Sequence, residues 1–460
     1  MIAVFGGKCS FNFINTLVFQ QNFIQINHCI APFVLSHNPL FGIVCDDAPQ
    51  FKLIIKVILW NKVNGMIKVN STDNVLDVAI IGAGPGGLCA AHALARLGFS
   101  IGVFEQAHLL RPIGAALGMG DSGYAALAEI DTELAQQVRQ LAVNPKQQML
   151  MRPNGEVLFA DESPLAGTGF TWLCWYNLQT CLYKALPATV SLHLNHTLIG
   201  FTRTSVQGQE QLHLKFRQQE DFCARLLIGA DGYHSAVRSI TVADGAPLYT
   251  GTMTWRGIVK RKNLPPLAAP FIESAGFQLV VGEKKNFWIM DAGTELLAWG
   301  GTALRLNHSK SLSALETVLQ IFEQWPPLVE SVIRTTEPAS IIETGVFDRE
   351  PVPQWGDLRR VTLLGDAAHP MRPSLGLGTT MAIQDVVTLA KVLVHTDLGD
   401  GEQLGLALRT YEQERIAISA PLQRLARQEG ANSHAEDQAE QLKERFLAAL
   451  AARRQASQKY

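Results

Sequence analysis

The chain has 460 residues, 47% of them hydrophobic, with 39 basic and 41 acidic side chains and a formal net charge of -2. That length allows two or more domains with a large core, and so balanced a charge gives no electrostatic case for nucleic acid. The seven cysteines (Cys9, Cys29, Cys45, Cys89, Cys174, Cys181 and Cys223) form no C-x-x-C pair and no His/Cys metal spacing. No metal site is read from them, and reduced thiols in a reducing, cytoplasmic compartment are expected.

Residues 1–65 contain no Arg and no Glu but are crowded with Phe, Asn and Ile. Their apolar runs, such as FKLIIKVILW, fall short of the ~20 residues of a membrane helix. No basic n-region leads into an apolar h-region, so a signal peptide is not expected. Met66 then opens MIKVNSTDNVLDVAIIGAGPGG. Residues 1–65 therefore read as an atypical N-terminal extension, disordered or lying upstream of a true start at Met66; a membrane-associating leader is the competing reading.

Val78 to Glu105 reads as an apolar strand, a glycine turn, an Ala/Leu-rich helix, a second strand and an acid. Gly82 permits the tight turn, Gly84 lets backbone approach a pyrophosphate, and Gly87 lets helix and strand pack closely. Pro85 and Gly86 lie between them, where the positive end of the helix meets phosphate. Glu105, a little over twenty residues past Gly82, sits where an acid accepts from ribose hydroxyls. This unit binds a dinucleotide; by itself it does not choose between FAD and NAD.

Helices are expected near Ser122–Glu129, over Asp131–Leu141 and over Leu178–Leu186. Met149–Arg152 and Val157–Ala160 flank Pro153-Asn154-Gly155, a hairpin signal. Val190–Leu194, Thr197–Thr202, Gln211–Phe216 and Ala224–Ile228 alternate like strands. Tyr249 to Gly301 is rich in aromatic and β-branched residues and predicts a second sheet. A helix at Ser313–Gln324, a strand at Arg360–Leu364 and a helix at Thr379–Val394 follow. From Glu402 the chain reads as terminal helices whose Arg and Glu residues form a solvated face.

Two later segments decide the cofactor: LLIGADGYHSAVR at Leu226–Arg238 and VTLLGDAAHPMRPSLGLGTTMAIQD at Val361–Asp385. With the first motif they resemble the three marks of the single-component FAD-dependent monooxygenases, the para-hydroxybenzoate hydroxylase-like family. Tyr249-Thr250-Gly251, Trp255-Arg256-Gly257 and Asp348-Arg349 before Pro351 and Trp355 resemble the branch with salicylate hydroxylase, urate hydroxylase and zeaxanthin epoxidase. Three departures stand out: Gly376-Leu377-Gly378 replaces glycine-glutamine-glycine, Gln384-Asp385 replaces glutamate-aspartate in the helix that follows, and Trp175-Tyr176-Asn177 lacks the Arg that many relatives place before the helix at Leu178.

The resemblance implies an α/β fold: a Rossmann-like FAD-binding domain with an inserted, mainly antiparallel β-sheet substrate domain and C-terminal helices. The FAD-binding domain is expected over 75–143, 168–245 and 346–395, the substrate sheet over 144–167 and 246–345, and the helices over 396–460. It implies FAD held by Gly82, Gly84, Pro85, Gly86, Gly87, Glu105, Arg111, Asp231, Gly232, Asp366, Pro373, Gly376, Leu377 and Gly378. Asp366, at a strand's carboxyl end, is suited to the ribityl hydroxyls. Arg111 is suited to the pyrophosphate, and Arg238 to anchoring a loop or a phosphate. Arg256 and Pro373 are the candidate catalytic residues. Tyr249, Trp255, Phe287 and Trp288 are further substrate candidates, each weighed against plain sheet-core packing. The implied reaction uses NADPH or NADH and O2 to hydroxylate a small aromatic or heteroaromatic substrate through a flavin C4a-hydroperoxide. The alternatives are epoxidation of an apolar isoprenoid or other alkene, and a flavin-dependent reductase or saturase on the same fold.

Overall fold

The computed structural model describes residues 18–20, 23–26, 29–32, 75–110, 116–144, 147–161, 170–266, 276–293, 295–372, 376–432, 440–448 and 451. Residues 1–74 form one compact unit and 75–460 another. The first contains three short antiparallel strands, β1 Val18–Gln20, β2 Phe23–Ile26 and β3 Cys29–Pro32. The rest of the atypical extension, and the start expected at Met66, lie outside the described residues.

The second unit begins with β4 Leu76–Ile81, helix α1 Pro85–Arg96 and β5 Ile101–Phe104. Proline at the start of α1 costs no hydrogen bond, because the first-turn amides have no helical partner. Then come β6 Ala116–Met119, α2 Asp121–Ile130, α3 Thr132–Gln140, β7 Gln148–Met151, β8 Val157–Asp161, β9 Thr171–Cys174 and α4 Trp175–Lys184. Strands β10 Val190–His193, β11 Leu198–Val206, β12 Gln209–Phe216 and β13 Phe222–Gly229 precede α5 Ala236–Thr241 and the long β14 Leu248–Lys260. Next are β15 Phe277–Gly282, β16 Lys285–Asp291, β17 Leu296–Leu304, α6 Ala314–Ile321, α7 Pro327–Thr335 and β18 Ile342–Asp348. The chain continues through β19 Val361–Leu363, α8 Gly378–Leu393 and α9 Gly401–Asn432.

Two seven-stranded sheets organise these elements. The first runs β10-β5-β4-β13-β12-β11, with β19 also on β13. Strand β13 changes partner along one edge: Phe222–Ala224 pair antiparallel with β12, whereas Leu227–Gly229 pair parallel with β19. On its other edge Gly229 is level with Ile81 of β4. The carboxyl ends of β19, β13, β4 and β5 therefore lie side by side, and the three sequence motifs leave the sheet from the first three.

The second sheet runs β18-β14-β17-β16-β15-β7-β8 and is antiparallel except between β15 and β7. Alternation divides its side chains between two faces. Met253, Trp255, Phe287 and Trp299 share a core with Val318, Phe322, Val329 and Ile333 of α6 and α7. Ile258, Phe277, Trp288, Met290 and Ala298 occupy the opposite face, against Phe170, Trp172 and Phe446.

Candidate active site

At the exit of β4, Gly82 has φ +105°, and an added Cβ would sit 2.4 Å from the Ala230 carbonyl oxygen at the end of β13. A Cβ on Gly87 would lie 2.1 Å from the Gly82 oxygen, and one on Gly86 2.9 Å from Leu364. These three positions are closed by neighbouring protein. Gly84 differs: it caps α1 in extended conformation, and a Cβ there would meet nothing within 4 Å. The helix amides thus face open space at Gly84. Pro85 is buried just behind it.

Glu105 leaves β5 beside this turn. One carboxylate oxygen accepts the Ala83 N–H at 2.9 Å and the other accepts the Ala107 N–H at 2.9 Å. Each oxygen keeps a further lone pair for a hydroxyl donor. Sequence reasoning missed Gln179 on α4, whose buried amide donates to the Ala83 carbonyl at 2.7 Å. The contact spans ninety-six residues, so no local signal marks it.

The Asp231 carboxylate is committed to its own turn. It accepts from the Ser235 hydroxyl and from the Ala236 and Val237 amides, capping α5. Burial raises its carboxyl above the usual range, against the pull of the Ser235 and amide hydrogen bonds. Next to it, Gly232 has φ +75° and open space around it. Arg238 anchors the loop. It forks onto Asp244 and donates to the Ala367 and Ala368 carbonyls at 3.0 and 2.6 Å.

Those carbonyls belong to the turn carrying Asp366. Its side chain is open to solvent, yet protein surrounds it closely enough that burial raises its carboxyl, with His369 pulling the other way. Among the described residues it accepts no hydrogen bond. A Cβ built on Gly378, the first residue of α8, would point at it from 3.7 Å. Gly376 has φ +68° and open space around it. The Leu377 side chain is buried with Met381, Leu422 and Ala426, so only its backbone remains for a ligand. Arg111 and Pro373 lie outside the described residues.

Beneath the turn, Asp385 is fully buried. It accepts the Gly365 N–H at 2.9 Å, contacts His369 Nε2 at 2.6 Å and receives Arg415 Nε at 2.7 Å. Burial works to raise Asp385, but His369, Arg415 and the Gly365 amide outweigh it and hold the carboxyl low. His369 thus shapes the loop. The terminal helix is not merely a solvated face: Glu412 and Arg415 are buried, and Glu412 accepts from Trp355 N and the Thr362 hydroxyl.

On the second sheet, parity sorts the aromatic candidates. Trp255 and Phe287 are core under α6 and α7, and the Tyr249 hydroxyl is spent on the Arg305 and Asn307 carbonyls. Arg256 and Trp288 share the opposite face in one register row, on the two strands that flank Gly300. A Cβ on Gly300 would strike the Trp288 indole at 2.5 Å, so glycine is what lets that ring lie on the sheet beside Arg256. Arg256 Nε is buried and has no hydrogen-bond partner among the described residues. Desolvation alone lowers its pKa, with no acid opposing it.

The FAD binding domain family matches residues 75–426. The chain is 30% identical over 354 residues to the aurachin C monooxygenase/isomerase of Stigmatella aurantiaca, covering 74% of this chain and 85% of that one. It is 29% identical over 381 residues to the 3-hydroxybenzoate 6-hydroxylase of Klebsiella oxytoca, covering 78% and 89%. Among solved structures, Klebsiella pneumoniae HpxO complexed with FAD and uric acid is similar at TM-score 0.66 and 25% identity, over 81% of this chain and 92% of that one. The chain therefore belongs to the FAD-dependent monooxygenase family and is an oxidoreductase with FAD as cofactor.

Proposed function

We propose that this enzyme hydroxylates a small aromatic or heteroaromatic substrate that carries a carboxylate or phenolate, using NADPH or NADH and O2. The observation that carries the reading is Arg256, a half-buried cation with no counter-charge among the described residues, in the same row and on the same face of the sheet as Trp288. A buried cation without a partner is costly unless something else supplies the anion. A substrate anion meets that need, and the Trp288 indole offers an aromatic surface next to it.

The residues at the strand ends fit FAD. Gly84, Gly232 and Gly376 face open space, and Asp366 is without a donor. In this reading the Gly84, Gly86 and Gly87 amides at the start of α1 hold the pyrophosphate. Glu105 accepts from the adenosine ribose, Asp366 from the ribityl chain, and the backbone at Gly376–Gly378 faces the flavin ring. Bound FAD supplies hydride acceptance and oxygen activation. The protein orients the substrate ring, holds its anionic group and keeps water away.

The test is oxygen uptake by the holoenzyme with NADH or NADPH across aromatic acids, phenols, neutral arenes and alkenes, with product mass. A gain of one oxygen on an aromatic acid or phenol supports the reading. Turnover restricted to neutral alkenes, or a gain of two hydrogens, replaces it with epoxidation or saturation.

A further inference from the structure

The segment joining β17 to α6 projects two leucines completely into solvent: Leu306 is 103% exposed and Leu312 110%. Leu248 and Leu304 stand 67% and 43% exposed nearby. Isolated surface leucines are ordinary, but these belong to one tethered rim. Arg305 N–H donates to the Gly251 carbonyl at 2.8 Å. The hydroxyl of Tyr249, next to Leu248, donates to the Arg305 carbonyl at 2.9 Å and the Asn307 carbonyl at 3.3 Å. The buried Glu343 carboxylate receives the Ser311 amide at 2.8 Å, the Ser311 hydroxyl at 2.7 Å and Arg305 at 3.2 Å. The loop's polar groups are thus bonded inward while its leucines point out.

Charge identifies the occupant. No Asp or Glu occurs between Glu295 and Glu316, whereas Arg305, His308 and Lys310 do. The nearby acid, Glu343, is neutralised by Arg305. Lys310 is exposed between the two protruding leucines, whereas the His308 ring packs on Tyr249 and Phe347 at centroid distances of 5.1 and 5.3 Å.

We infer that this crest docks on an anionic phospholipid surface: Leu306 and Leu312 enter the headgroup–acyl boundary while Lys310 meets lipid phosphates. An apolar tip that carries an exposed cation between its leucines is the chemistry that such a surface recognises. Preformation of the loop lowers the ordering cost of insertion. Among the described residues no helix is long and apolar enough to cross a membrane, so the contact is peripheral.

The experiment is vesicle cosedimentation of the full-length FAD-loaded protein, with phosphatidylcholine alone or mixed with phosphatidylglycerol, alongside light scattering without lipid. The wild type is expected to pellet with the mixed vesicles and to release at high salt. Leu306→Ser/Leu312→Ser should lower partitioning at least tenfold, and Lys310→Glu should lower it on the anionic vesicles. NADPH oxidation by each variant checks that it is folded. Three results would overturn the inference: wild type that stays in the supernatant, a double-serine variant that pellets as wild type does, or a wild-type dimer that the serine changes dissociate. The last would assign the crest to a second copy of this chain.

Discussion

Asp385 and Arg415 meet at 2.7 Å in the protein interior, and the same carboxylate reaches the Gly365 amide and His369. The turn that presents Asp366 is therefore fixed from below by a charge on α8 and a charge on α9. Asp385→Asn leaves Arg415 without its anion, and breaking a buried pair in this way costs about 3–5 kcal/mol. Urea unfolding of the apoprotein should register that loss. The pH dependence follows from the depressed carboxyl. Its stabilisation is complete above the ordinary aspartate value of about 3.9 and is lost as pH falls from there through the lower folded value. The variant should lack that part of the acid limb.

Asp366 predicts opposite effects on stability and on cofactor retention. Burial raises its carboxyl, so ionisation disfavours the folded apoprotein as pH rises through and above the ordinary carboxylate range. Asp366→Asn should melt higher than wild-type apoprotein at neutral pH yet retain less yellow FAD after desalting. Undiminished flavin occupancy would falsify its assignment to the ribityl chain.

The glycines of the first turn should separate in the same two assays. Gly87→Ala places a methyl 2.1 Å from a backbone oxygen, and Gly82→Ala adds a left-handed φ to a 2.4 Å clash. Both should lower the melting temperature of the apoprotein. Gly84→Ala meets nothing and has φ -71°. It should stay within about 0.5 kcal/mol of wild type, the range of ordinary surface changes, while its FAD dissociation constant rises.

Arg256→Gln should raise KM for an anionic aromatic substrate by about 10- to 100-fold, the range set by losing a charge-assisted contact of about 1.5–3 kcal/mol. The apoprotein should be no less stable, because the lost cation had no partner. Steady-state kinetics on aromatic acids and their amides supply the check: the penalty should be confined to the acids.

The two neighbouring tryptophans should behave differently. Trp255→Ala opens the core under α6 and α7 and costs about 3–5 kcal/mol. Trp288→Ala, on the Arg256 face, should alter KM more than the unfolding midpoint.

The sequence alone determined the dinucleotide-binding unit, the second sheet and the order of the motifs, because strand, turn and helix signals are local and their glycines have local reasons. It also marked Asp366 and Arg256, one as an acid at a strand end and the other as a cation inside an apolar strand. Only the tertiary structure decided what those residues face. The pairing of β13 with both β4 and β19 brings Gly82, Gly232 and Asp366 to one end of one sheet, across separations that no periodicity encodes. Strand parity put Trp288 beside Arg256 and sent Trp255 and Phe287 to the far core. Hydrogen bonding turned Asp231 and Arg238 into supports and recruited Gln179, Asp385 and Arg415 from elements that look featureless in the chain. A buried polar group must find a partner wherever the fold supplies one, and that partner is a property of the packed molecule.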